Sequence, residues 1–106
     1  MAKRVAQFYI RPKVKYDLLL RARSTQNHGY IHPEDQKITV YKNQSDKQKV
    51  ITLIHEIVHG IDFHNPEFPK KYFISEDQTE YLAQGLYEFF EANGLLDKLH
   101  GVLKCL

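Results

Sequence analysis

The string His55-Glu56-Ile57-Val58-His59 brings two imidazoles and a carboxylate together in one short stretch. Histidines four apart on a helix share a face, with Cβ atoms about 6 Å apart, so both rings can reach one ion at the zinc–nitrogen distance of about 2 Å. Glu56 is turned about 100° around such a helix; it cannot chelate beside them, but it can reach a water held at the ion's open position. Two ligands, a general base and an open position are the division of labour that metal-assisted hydrolysis needs. The plainer alternative is a pair of core histidines with Glu56 as their N–H acceptor. Three ionisable groups on an apolar helix need partners that offset desolvation, and a metal supplies one for both imidazoles at once; the pattern therefore reads as a metal site.

A zinc site needs a third protein ligand. One branch of H-E-x-x-H enzymes places a histidine six positions after the second motif histidine and a glycine at the third, but those positions hold Asn65 and Asp62, and His64 is one residue out of place. The next helix offers Glu76 and Glu80, one turn apart on the same stripe, and either completes a His, His, Glu donor set. Asp62, seven residues after His55, is placed to orient a ligand imidazole, with a helix C-terminal surface role as the alternative. For the developing oxyanion a donor is required, and Tyr30, His28 and Tyr72 are candidates among which no sequence rule selects.

The elements that position these groups are readable from periodicity. Ser45 with Gln48 has capping-box spacing, and Val50, Ile51, Leu53, Ile54, Ile57, Val58 and Ile61 form a broad apolar stripe, predicting a deeply set helix over 45–63. Pro66 and Pro69 break the chain; Ser75 and Gln78 repeat the cap. A second helix follows over 75–93, its apolar stripe formed by Tyr81, Leu82, Ala83, Leu86, Phe89 and Phe90 and its end marked by Asn93-Gly94. A short third helix is expected over 95–104. Gly60 and Gly85, each inside a predicted helix, suggest close approach of the two helices. Residues 1–43 read mainly as strands: Val5–Ile10, stopped by Pro12; Val14–Ala22, where alternation favours a strand although a helix also fits; and Gly29–Ile31 with Lys37–Tyr41 as a hairpin around His32–Gln36. Ser24–Asn27 is a polar loop. The expected class is α+β, one domain over 1–106 with a small antiparallel or mixed sheet ahead of the helices.

Composition bounds the function. The chain has 106 residues, 15 Lys+Arg against 13 Asp+Glu, and 42% hydrophobic residues, enough for one core. Cys105 alone permits no intrachain disulfide and fits a reducing compartment. No apolar run approaches the length a bilayer needs, and the first residues lack an apolar signal core, so the expectation is a cytoplasmic chain without a membrane segment. Charge is uneven: residues 1–23 carry seven cations against Asp17, whereas the rest hold eight basic and twelve acidic residues. Period-two alternation from Lys13 to Arg23 ranks the wet face of a strand ahead of a nucleic-acid site. His100 and Cys105 receive no role.

The stretches from Thr52 to Asp62 and from Ser75 to Tyr87 resemble small metallopeptidase-like proteins of bacteriophages and mobile elements, related to the ImmA/IrrE branch of the gluzincins. The resemblance spans residues 28 to 93 and is strongest in the two helices. It implies a zincin-like fold binding Zn2+, with the glutamate seven positions before Ala83, Glu76, as the ligand; Glu80, where gluzincins often carry an Asp or Asn that orients a ligand, leaves the choice between the two open. It also implies a peptidase acting on a cytoplasmic protein, with Glu56 activating water whose pKa the metal lowers to about 7 and the hairpin's edge strand docking an extended peptide. Little sequence follows the second helix, where better-known relatives have a further domain. This motivates the alternative of a non-enzymatic zinc module that binds a host protein. Either way, metal affinity is expected to fall below about pH 6, because the ligand imidazoles must be neutral.

Overall fold

The computed structural model describes residues 3–22, 27–67 and 71–99. Four strands, β1 (Lys3–Arg11), β2 (Val14–Arg21), β3 (Gly29–His32) and β4 (Lys37–Tyr41), precede two helices, α1 (Asp46–Phe63) and α2 (Glu76–Ala92). The α+β class is as expected, and the sheet is the mixed variant: its order is β1-β2-β4-β3, with both hairpins antiparallel and β2 parallel to β4. The helical alternative for residues 14–22 is excluded.

Turn chemistry sets the hairpins. Pro12 followed by Lys13 at φ 68° turns β1 into β2, a proline at the first corner and a left-handed residue at the second. In the other hairpin Gln36 donates its N–H to the Pro33 carbonyl and itself adopts φ 54°. β4 is central, paired with β2 on one edge and β3 on the other; Ile38 and Val40 join the core, and Thr39, on the other face, stands between Leu19 and Tyr30 of the flanking strands.

The core lies between one face of the sheet and α1. Tyr16, Leu18, Leu20, Ile38 and Val40 meet Val50, Leu53, Ile54 and Val58. Burying each large aliphatic side chain stabilises the fold by about 1.5–3 kcal/mol relative to exposure. Gly60 is required here. A Cβ on it would lie 2.5 Å from Ile10 Cδ1 and 3.2 Å from Ile31 Cδ1, so it admits the sheet and not the second helix. A Cβ on Gly85 would meet nothing within 4 Å; the expected helix–helix approach at these two glycines is therefore incorrect.

Ser45 caps α1 through Gln48 N–H, and Ser75 forms a full capping box with Gln78. Gly94, at φ 68°, ends α2: Leu95 N–H reaches the Phe90 carbonyl and Gly94 N–H the Glu91 carbonyl, the paired bonds of a Schellman motif. The apolar stripe expected on α2 is only partly buried. Ala83 and Tyr87 face α1, but Tyr81 is 80% exposed and Phe89 55% exposed, because α2 touches one helix along a narrow line. Residues 97–99 are helical, and the remainder of the expected third helix lies outside the described residues, as do His100, Cys105 and most of the polar loop at Ser24–Asn27. Among the described residues no helix is long and apolar enough to cross a membrane.

Candidate metal centre

His55 and His59 project from one face of α1, their side chains 13% and 12% exposed. Helical spacing brings their Nε2 atoms to 3.1 Å. Glu76 enters from the first turn of α2, where the helix N-terminus favours a carboxylate. Its Oε1 lies 2.5 Å from His55 Nε2 and its Oε2 lies 3.1 Å from His59 Nε2. Partial burial raises the Glu76 carboxyl, but hydrogen bonds and charge interactions with both histidines outweigh this and hold it below the ordinary glutamate value.

Glu80 sits one turn further along α2 and takes a different position. Its Oε1 accepts from His55 Nδ1 at 2.8 Å, on the far side of the ring from Glu76, while its Oε2 accepts from Gln84. The two glutamates thus occupy different positions: Glu76 meets both Nε2 atoms and Glu80 meets His55 Nδ1.

This donor set fits a cation on its own geometry. A carboxylate can only accept, so the contacts of His55 Nδ1 with Glu80 and of Nε2 with Glu76 are met either by an N–H on each ring nitrogen or, with the proton on Nδ1, by a cation at Nε2. A cation there would be shared with Glu76 and the second imidazole nitrogen, which stand around the same point. Donor atoms on a tetrahedron with metal bonds of about 2.0–2.1 Å stand about 3.3 Å apart; two separations here are 3.1 Å, and the third, His55 Nε2 to Glu76 Oε1, is a tighter 2.5 Å that an ion would have to open. His55, His59 and Glu76 each offer an atom within 4.8 Å of the others. Among the described residues His59 Nδ1 has no hydrogen-bond partner, so only His55 is braced by a carboxylate behind it.

Glu56 lies beside this cluster and is buried. Burial pushes its carboxyl up to about 7, opposed by His55 and reinforced by Glu76. Two clefts meet at Glu56 and Glu76. One, of about 200 Å³, includes His28, Gln48 and Thr52. The other, of about 400 Å³, runs along Gly29, Tyr30 and Ile31 of the edge strand to Tyr72 and Ile74.

Among the described residues Asp62 is hydrogen-bonded to backbone N–H groups and to neither His55 nor His59. Its Oδ2 accepts from the backbone N–H groups of Phe73 at 2.8 Å and Ile74 at 2.9 Å, and so fixes the connector that leads into Ser75 and Glu76. Sequence spacing placed it on the correct helix, but the chain returning past it was not visible there. His64 is also accounted for: its Nε2 and the buried Tyr16 hydroxyl are hydrogen-bonded at 2.7 Å, away from the cluster. Of the three oxyanion candidates, Tyr30 directs its hydroxyl to Thr39, Arg21 and Tyr41. His28 lines the smaller cleft. Tyr72 packs edge-on against His59, ring centres 5.3 Å apart, in the same cleft as Glu56. Burial and then the carboxylates of Glu56, Glu34, Asp62 and Glu76 raise its hydroxyl, keeping it a donor.

Comparison of the chain with known protein families, with curated proteins and with solved structures finds no match.

Proposed function

We propose that the chain is a zinc-dependent, metallopeptidase-like hydrolase of the zincin kind, in which His55, His59 and Glu76 hold the ion and Glu56 is the general base. The observation that carries this reading is the convergence of two Nε2 atoms and one carboxylate beside a buried glutamate. Nitrogen and carboxylate donors of this type suit Zn2+. When bound, such an ion polarises a carbonyl and lowers the pKa of water.

The chain's own groups supply the rest. Glu56, poised by burial near neutrality, takes a proton from water and returns it to the leaving amine. Tyr72 donates from the wall of the larger cleft to charge developing on the carbonyl oxygen. β3, at the sheet edge, offers its backbone to an extended peptide, and Gly29 lets that strand come close to Thr52 of α1, beside the cleft that Glu56 and Glu76 line. The substrate class is accordingly a peptide segment of a protein, met in the cytoplasm.

Elemental analysis tests the metal: about one zinc per chain, lost on His55→Ala or His59→Ala, is expected, and a folded protein that binds no metal ends the proposal. Glu56→Gln tests catalysis. It should keep the ion and abolish hydrolysis. A second reading, a zinc-containing module that binds a host protein without cutting it, is favoured by the exposed Tyr81, Leu82 and Phe89 on α2. In that case Glu56→Gln leaves the biological effect intact.

A further inference from the structure

α1 covers one face of the sheet, with α2 packed on α1, and the register shows what the other face displays. Alternate residues share a face. Across the strands the pairs Tyr9 with Lys15, Asp17 with Lys37, Leu19 with Thr39 and Arg21 with Tyr41 line up on the side away from the core, while Leu18, Leu20, Ile38 and Val40 point into it. Tyr30 and His32 of β3 join the outer set, their rings 4.7 Å apart and Tyr30 6.0 Å from Tyr41.

This outer face is basic and aromatic. Arg4, Lys15, Arg21 and Lys37 come from three different strands, and the one carboxylate among the described strands, Asp17, is bound by Gln7 at 2.7 Å and approached by Arg4 at 3.9 Å. Tyr9 is 63% exposed, and Lys15 Nζ stands 5.9 Å from its ring centre. Tyr30 and Tyr41 are half-buried, with Arg21 close enough to hydrogen-bond the Tyr30 hydroxyl. The opposite side of the molecule carries the reverse charge: α2 has Glu76, Asp77, Glu80, Glu88 and Glu91 and no cation. A polyanion is therefore attracted to the sheet and repelled from the helices.

We infer that the outer face of the sheet binds single-stranded nucleic acid, its cations pairing with phosphates and Tyr9, Tyr30 and Tyr41 stacking on bases. Charge alone would serve any polyanion. The aromatic rings interleaved with it select a ligand that has flat π surfaces free to stack, which unpaired bases offer and a duplex or an acidic peptide does not. Alternation within residues 13–23 pointed to a solvated strand face because it shows only one strand; the register adds Tyr30, Tyr41 and Lys37. The inference is independent of the metal site, which lies on the helical side.

A labelled oligothymidylate or oligouridylate of about fifteen nucleotides, followed by anisotropy, tests it. Binding should weaken with salt, with a log–log slope of about −2 to −3 from four cations at about 0.7 per phosphate on a single strand. Tyr9→Ala should weaken binding about five- to a hundredfold. Lys37→Glu should lower the slope by about 0.7 or more. Both positions are exposed strand residues, and unfolding curves matching the parent verify that the variants are folded. Glu56→Gln, with or without chelator, should bind the oligonucleotide as the parent does, so failure of the hydrolase proposal leaves this result unchanged. No binding, binding indifferent to salt, an unaltered Tyr9→Ala, or equal affinity for a duplex or for polyglutamate each overturns it.

Discussion

Glu56 is a carboxylate in a place that penalises its charge, and the penalty is measurable without any substrate. In metal-free protein burial moves the group from 4.5 to about 7. The folded state therefore retains a proton that the unfolded chain has released between about pH 4.5 and 7. Across that window stability falls as pH rises, and above it the loss is complete. At about 1.4 kcal/mol per pH unit the full penalty is about 3 kcal/mol. Glu56→Gln removes the titration while preserving shape, so the variant should exceed the parent in stability by up to about 3 kcal/mol at pH 8 and by little at pH 4.5. Urea unfolding in chelator at the two pH values measures this. Glu76 follows the opposite trend, its lowered value adding stability that disappears as pH falls; it is present in both proteins, so the difference between them reports Glu56 together with its repulsion from Glu76. An equal difference at both pH values, or a less stable variant at pH 8, would refute the reasoning. The same carboxylate is the proposed general base, which makes the expected gain an instance of stability yielded for chemistry.

Further substitutions probe the supports of the site and of the fold around it. Glu80→Gln loosens the brace behind His55 and should weaken zinc binding about 10- to 100-fold in a chelator competition, whereas Glu76→Gln should lose more; equal losses would return the ligand assignment to the open choice between them. Asp62→Ala leaves two connector N–H groups without their acceptor and should cost about 2–4 kcal/mol by denaturant unfolding, with Asp62→Asn intermediate and both lowering metal affinity. Gly29→Ala would set a Cβ 2.5 Å from the Thr39 carbonyl oxygen and 2.7 Å from Thr52 Cγ2, destabilising by about 1–3 kcal/mol, while Gly85→Ala, with open space around it, should be neutral or add up to about 1 kcal/mol in thermal melts.

What the sequence disclosed was what is local. The bounds of α1 and α2 were readable because Ser45, Ser75 and Asn93-Gly94 are caps whose chemistry acts within one turn. The His55, Glu56, His59 arrangement was readable because it is a property of one helix. The choice of Glu76 was not, since Glu76 and Glu80 share a stripe and the entry angle of α2 decides between them. That angle depends on Asp62 reaching across to Phe73 and Ile74, a contact between residues distant in the chain. The parallel pairing of β2 with β4 is likewise nonlocal. Apolar periodicity overstated the burial of α2 because it reports what a helix can bury, and Tyr81 and Phe89 stay largely in solvent there.

The same contacts decide how the protein should respond to losing the proposed ion. Small zinc domains commonly unfold on chelation, because the metal supplies the energy that a missing core cannot. Here the buried cluster formed by the sheet, α1, Ala83, Tyr87 and Leu96 includes none of the donor residues. The donors are also held by the fold itself: the helix sets His55 to His59, Glu80 fixes the His55 ring, and Asp62 with the Ser75 cap delivers Glu76. A site built in advance spends little binding energy on ordering. Chelation should therefore leave far-ultraviolet circular dichroism and a single cooperative unfolding transition intact. Restoring free zinc to about a thousand times its dissociation constant should raise the unfolding free energy by about 4 kcal/mol. A chain that loses its secondary structure in chelator would instead assign the ion a structural role, and the argument from a preformed site would fail with it.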